Sequence, residues 1–251
     1  SIKNSKIFLK TNIIGTYIML FAAFNYYNNL PLKNNRSFLF HHISTDEVYG
    51  DLSLKDPSFS EENKYLPSSP YSASKASADH FVRAWFRTYG LPVIITNCSN
   101  NYGPYQHKEK IIPLIINNAL QGKKIPIYGN GKQIRDWLHV SDHVRALYDV
   151  LFKGVIGNTY NIGANNELEN IKLVKLICGY LDKKVKVKPK NIKSFSELIT
   201  FVKDRPGHDV RYAINSRKIK KELKWKPRIS FKIGLNHTID WYLDQFCGKK
   251  L

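Results

Sequence analysis

Residues 69–97 constrain the fold more than any other part of the chain. Ser69-Pro70 marks a helix start, because a Ser hydroxyl can satisfy an orphan N–H and Pro at the first helical position sacrifices no bond. The helix runs to about Tyr89 and stops at Gly90, a residue suited to the left-handed turn that ends helices. Pro92 to Asn97 follows at once, rich in β-branched residues, and reads as a strand. A helix feeding directly into such a strand is half of a parallel α/β unit.

The rest of the chain keeps that alternation. Residues 7–27 are expected to form a buried helix, with Phe8, Ile14, Ile18, Phe21 and Ala22 at helical spacings. Residues 38–44 read as a strand that ends in Thr45-Asp46-Glu47, and 51–69 as a loop. After a Gly/Pro/Asn loop at 98–107 come a helix near 111–121 and a turn at Gly129-Asn130-Gly131. Then follow a short strand at 137–140, a helix at 141–152 capped by Ser141, a strand at 159–162 and a helix at 170–181. An amphipathic helix at 233–246 closes a more basic final third. The organisation is a sheet-and-helix unit over residues 1–103 and a smaller mixed unit over 104–251, with a soft boundary that elements may cross.

With 251 residues and 43% hydrophobic content, the chain can bury one full core or two smaller ones. No apolar run is read as reaching the roughly 20 residues that cross a bilayer, so no membrane association is expected. Cys98, Cys178 and Cys247 are far apart and form neither a metal spacing nor a disulfide framework, which fits a reducing cytoplasm and no metal centre. The net charge of +19 raises nucleic-acid binding as an alternative, but the lysines are scattered and no recognition motif accompanies them. No nucleic-acid partner is expected.

Tyr71 and Lys75 lie four apart on the predicted helix, so phenol and ammonium share a face. A nearby cation favours the phenolate and would make Tyr71 a proton acceptor. The same spacing also occurs on solvated helix faces. Asp46 and Glu47 follow the end of a strand, where ligands bind in such sheets, though on that segment alone turn, capping or lysine-pairing roles suit them better. Two adjacent carboxylates raise one another's pKa, which suits an acid and a base side by side. Arg135 can grip a diphosphate in a bidentate way, with an ion pair to Asp136 as the alternative.

Taken together, residues 44–50 and Tyr71-Ser72-Ala73-Ser74-Lys75 resemble the extended short-chain dehydrogenase/reductase superfamily. Thr45-Asp46-Glu47-Val48-Tyr49-Gly50 resembles the dTDP-glucose 4,6-dehydratases. Further segments resemble them in the right order: 97–104, 109–113, 128–131, 133–137 and 204–209. The resemblance implies a Rossmann-type parallel sheet with a smaller C-terminal α/β substrate-binding domain, NAD as cofactor and a homodimer in the cytoplasm. It implies dehydration of dTDP-glucose to the 4-keto-6-deoxy sugar, with Tyr71 as base at C4, Glu47 as base at C5, Asp46 as acid at C6 and Thr45 bonding the C4 oxygen. Lys75 would lower the pKa of Tyr71 and, with Tyr71 and Asn101, face the cofactor. Asn100, Lys110, Ile111, Arg135, Asn170 and His208 would contact the substrate, and Pro126, Ile127 and Tyr128 would line the base pocket. A 4-epimerase has no work for the carboxylate pair, which favours dehydration over that alternative.

One part of the family's pattern is missing. Nothing in the chain matches G-x-x-G-x-x-G, whose backbone amides hold a dinucleotide pyrophosphate at a helix N-terminus. The chain opens at Ser1, and its one methionine is Met19. The expectation is therefore an N-terminally truncated Rossmann sheet, with impaired or lost activity in these 251 residues. The alternatives are a non-catalytic remnant and a dehydratase or epimerase for another nucleotide sugar.

Overall fold

The computed structural model describes residues 2, 4–31, 37–189 and 191–247, and for Cys247 the backbone only. The chain opens with a long helical rod, α1 (Ser5–Asn28), whose second segment, Leu9–Ile14, has π-helical pitch. Strand β1 (Phe40–Thr45) leads into a 3-10 turn at Asp46–Tyr49. Helix α2 (Pro70–Tyr89) and strand β2 (Val93–Cys98) are the unit expected from residues 69–97. Ser69 caps α2, with the Ser69 and Ser72 hydroxyls each accepting from the other's backbone N–H, and Gly90 ends the helix at φ 69°.

The second half carries β3 (Asn100–Tyr102), α3 (Ile111–Leu120), β4 (Ile125–Tyr128), β5 (Ile134–His139), α4 (Val140–Lys153) and β6 (Thr159–Ile162). It continues through β7 (Glu167–Glu169), α5 (Asn170–Lys184), β8 (Ile199–Val202), β9 (Arg211–Tyr212), α6 (Arg217–Leu223) and α7 (Phe231–Cys247). The first sheet is β1-β2-β6, all parallel; β3, β5, β7 and β9 form a second sheet, and β4 pairs with β8. Strand β6 returns to the first sheet from beyond residue 103, so the two halves interleave. The larger core lies under α3, α5 and α7, and a second cluster packs β2, β6, α4 and α6 around Trp225.

Several expectations need correction. The segment read as a loop at 98–107 contains β3, which is too short for periodicity to reveal. His139, not Ser141, caps α4: its Nδ1 accepts from the Ser141 N–H. The first helix is not buried. Only Leu20 is fully enclosed, while Ile14, Ile18 and Phe21 are each more than half exposed. Contact with α2 covers one narrow stripe, where Leu20 meets Val82 and Tyr17 sits edge-on to Trp85. With mean hydropathy 1.6, this helix is also long and apolar enough to cross a membrane, contrary to the sequence reading. The interruptions at Thr11, Asn12, Gly15 and Thr16 hid that continuity.

Candidate active site

The site forms where β1 runs out. Thr45, the last residue of that strand, caps the 3-10 turn: its hydroxyl accepts from the Glu47 N–H at 3.3 Å and donates to Asp46 Oδ1 at 3.3 Å. This presents two carboxylates in succession at the carboxyl edge of a parallel sheet, the ligand edge of such folds. Gly50 closes the turn at φ 96°, and a Cβ there would lie 2.3 Å from the Leu66 carbonyl oxygen. Both the backbone conformation and the space demand glycine. Gly50→Ala is expected to cost about 3 kcal/mol in urea unfolding, and a loss under about 1 kcal/mol would contradict this account.

The carboxylates occupy different surroundings. Asp46 is 3% exposed and its Oδ2 has no hydrogen-bond partner among the described residues. Burial, then the charges of Glu47 and Asp136, push its pKa well above the usual carboxylate range, against the pull of Arg135 and Thr45. Glu47 is half-buried. Burial raises it too, but Arg135, Lys110 and Arg205 draw it back. Both carboxyls are raised by burial, and at Glu47 the charges of Arg135, Lys110 and Arg205 oppose that rise.

Tyr71 and Lys75 approach from the first turns of α2. The Tyr71 ring packs edge-on against Phe8, with centroids 5.6 Å apart. Burial drives its phenol above the ordinary value, and Glu47, Cys98 and Asp46 add to the shift. The expected lowering by Lys75 is therefore not found. Lys75 Nζ donates instead to the Ile43 carbonyl at 2.8 Å, and burial lowers its own pKa, partly offset by Asp79 and Cys98. Desolvation outweighs the i, i+4 cation because the phenol lies in an apolar and anionic setting.

Across from them, Arg135 is 6% exposed, donates to the Ile134 and Asp209 carbonyls, and stands 4.3 Å over the Tyr212 ring. It makes no ion pair with Asp136, which accepts from the Ala164 and Asn166 N–H groups instead. The charge of Arg135 acts on Asp46, Glu47 and His208 alike, so it joins the carboxylates to a second group of expected residues. His208 bonds Asp204 at 2.7 Å and meets the edge of Tyr128. With Gly129, Asn130 and Gln133 it lines a cleft of about 360 Å³. Asn170 starts α5, tied through its N–H to the Gln133 carbonyl.

Not every expected residue offers its side chain. Pro126 and Tyr128 face outward from β4, but Ile127 turns into the core at 4% exposure, so only its backbone is available to a ligand. Ile111 is half-buried at the start of α3, beside the exposed Lys110. Asn100 and Asn101 stand together on β3, and both Oδ1 atoms are buried without a partner. The Asn101 amide NH₂ is spent on Cys98 Sγ and the Ser99 carbonyl.

Two buried acids were not read as site residues in the sequence. Asp136 ties the 164–166 loop and bears on Asp46. Asp79, one helical turn beyond Lys75, bonds His42, Tyr65 and Asn97 and braces the floor of the site. The available signal for Asp79 was an acid recurring at i+4 on the buried face of α2.

Comparison with known proteins identifies the family. The family model described as GDP-mannose 4,6 dehydratase matches residues 1–238. The dTDP-glucose 4,6-dehydratase of Neisseria meningitidis serogroup B is 58% identical over 244 residues, covering 97% of this chain and 69% of its own length. The crystal structure of DesIV, a dTDP-glucose 4,6-dehydratase from Streptomyces venezuelae with NAD and TYD bound, superposes with a TM-score of 0.87. It is 39% identical, over 99% of this chain and 70% of that one. The Bacillus anthracis dTDP-glucose 4,6-dehydratase in complex with NAD gives a TM-score of 0.80 and 47% identity over 93% and 68%. With such identity across nearly all of its residues, the chain belongs to the dTDP-glucose 4,6-dehydratase family.

Proposed function

We propose that this chain carries the chemistry of NAD-dependent dehydration of dTDP-glucose to dTDP-4-keto-6-deoxyglucose. The observation that carries the reading is the pair of adjacent carboxylates with unequal surroundings, Asp46 buried and Glu47 half-buried within reach of the charges of Arg135, Lys110 and Arg205. Family membership with dTDP-glucose 4,6-dehydratases supports it. Tyr71 takes the proton from the C4 hydroxyl while Thr45 holds that oxygen. Glu47 takes the C5 proton, made acidic by the C4 ketone, and Asp46 delivers a proton to the C6 oxygen, which departs as water. Arg135 and Lys110 hold the diphosphate, Asn100 and Asn170 the sugar side, and His208, Pro126, Tyr128 and the Ile111 and Ile127 segments the nucleoside.

The residues present fit the nicotinamide half of NAD. Lys75, Tyr71 and Asn101 would hold it, and Asn101 Oδ1 is a buried acceptor with no partner among the described residues. When bound, NAD supplies the hydride acceptor and donor. The 251 residues contain no glycine-rich turn for the pyrophosphate, so weak NAD+ affinity is expected, with Kd near or above 1 mM. A calorimetric titration of NAD+, followed by incubation with dTDP-glucose at the highest occupancy reached, tests the dehydration reading. Formation of the 4-keto-6-deoxy product supports dehydration. Unchanged dTDP-glucose in the presence of bound NAD+ refutes it for this chain.

The exposed apolar faces of α1 and α2 support a homodimer. Ile14, Ile18, Phe21, Phe81 and Tyr89 lie open there, a surface that a second copy would cover. A cytoplasmic setting accords with the free thiols of Cys98 and Cys178.

A further inference from the structure

We propose that the cleft between the 163–165 loop and the start of α6 binds a diphosphate-bearing anion, at a site distinct from the candidate active site. The cleft has a volume of about 550 Å³, within the range of small-molecule sites. Arg217, Lys220 and Lys226 all line it, and no acidic residue does. Asn165, Asn215 and Ser216 supply neutral polar groups between the cations, and Trp225, 1% exposed, forms a rigid wall.

Charge is the deciding feature. Three cations lining one concavity repel one another, and a bound anion relieves that repulsion. Their neighbour Lys218 shows the alternative, since it donates to Asn158 and Thr159 and lies over the Tyr160 ring. Arg217, Lys220 and Lys226 form no ion pair among the described residues. Arg217 adds the planar fork that grips phosphate oxygens, and two lysines give compact charge for a second phosphoryl group. The floor is ordered: Ser216 Oγ accepts from the Gly163 N–H at 2.7 Å and donates to the Gly163 carbonyl at 2.9 Å. The Ala164 and Asn166 N–H groups donate to Asp136, which fixes the loop that forms one side of the cleft.

Calorimetric titration of inorganic pyrophosphate into the Arg135→Gln chain, in which the active-site clamp is removed, tests the proposal. One saturable site with Kd below about 1 mM is expected. Adding Arg217→Gln, Lys220→Gln and Lys226→Gln should weaken it tenfold or more, and these exposed positions should leave the circular dichroism melt unchanged. ADP binding more tightly than pyrophosphate would identify a nucleotide as the natural occupant; equal affinity would identify the bare diphosphate group. Both outcomes support the site. If Arg135→Gln fails to fold, the wild-type isotherm should show two sites, one of which the triple replacement removes. No saturable binding beyond the Arg135 site, unchanged affinity in the triple variant, or an equal loss from the control Lys123→Gln/Lys124→Gln would each overturn the proposal.

Discussion

Asp46→Asn is expected to lower the rate of water elimination by about 10²- to 10⁴-fold, the range typical of a lost general acid. The amide keeps the shape of the carboxyl group but cannot deliver a proton to the departing C6 oxygen. Glu47 remains intact, so exchange of the C5 proton with deuterated solvent should continue in Asp46→Asn. In Glu47→Gln both exchange and elimination should stop. Loss of exchange in Asp46→Asn, or full elimination by it, would sink the assignment. The same substitution has a signed effect on stability. Burial raises the Asp46 pKa, so the folded state holds its proton more tightly than the unfolded chain. The stabilisation this gives is fully present below the unfolded carboxyl value and is lost as pH rises through the raised one. Asn cannot ionise, so Asp46→Asn should melt higher than the parent chain at alkaline pH and converge with it in acid. A catalytic acid kept at the expense of stability is a common feature of active sites.

Tyr71→Phe should remove C4 oxidation by about 10²- to 10⁴-fold. C5 exchange should vanish with it, because without a C4 ketone that proton is not acidic, and this separates Tyr71→Phe from Asp46→Asn. The phenol makes no hydrogen bond among the described residues, and its ring rests on Phe8, so unfolding free energy should change by less than about 0.5 kcal/mol. Burial and the neighbouring carboxylates hold the phenol above its ordinary value. The oxidation rate of the parent chain should therefore rise with pH across the neutral range, as the phenolate fraction grows. A flat profile, or oxidation surviving in Tyr71→Phe, would assign the base elsewhere.

Local signals were legible without any structure. The cap at Ser69, the stop at Gly90 and the β-branched run behind it wrote out α2 and β2, because each signal acts within a few residues. The adjacency of Asp46 and Glu47 and the four-residue spacing of Tyr71 and Lys75 are covalent facts, and the proposed chemistry rests on them. What they could not carry was environment. The exposure of α1 depends on how much of its surface α2 reaches, and its apolar spacing looks the same whether covered or open. The pKa of Tyr71 turned on desolvation, a property of everything packed around it, so the i, i+4 lysine proved a poor guide. Arg135 could pair with the acid beside it in the chain, yet alternation along β5 separates the two, and Asp136 goes to the 164–166 loop. Sequence by itself determined which groups are present and which local elements carry them. Tertiary packing decided which carboxyl is dry, which cation faces it and where β6 returns, because burial and long-range pairing are set by contacts between residues far apart in the chain.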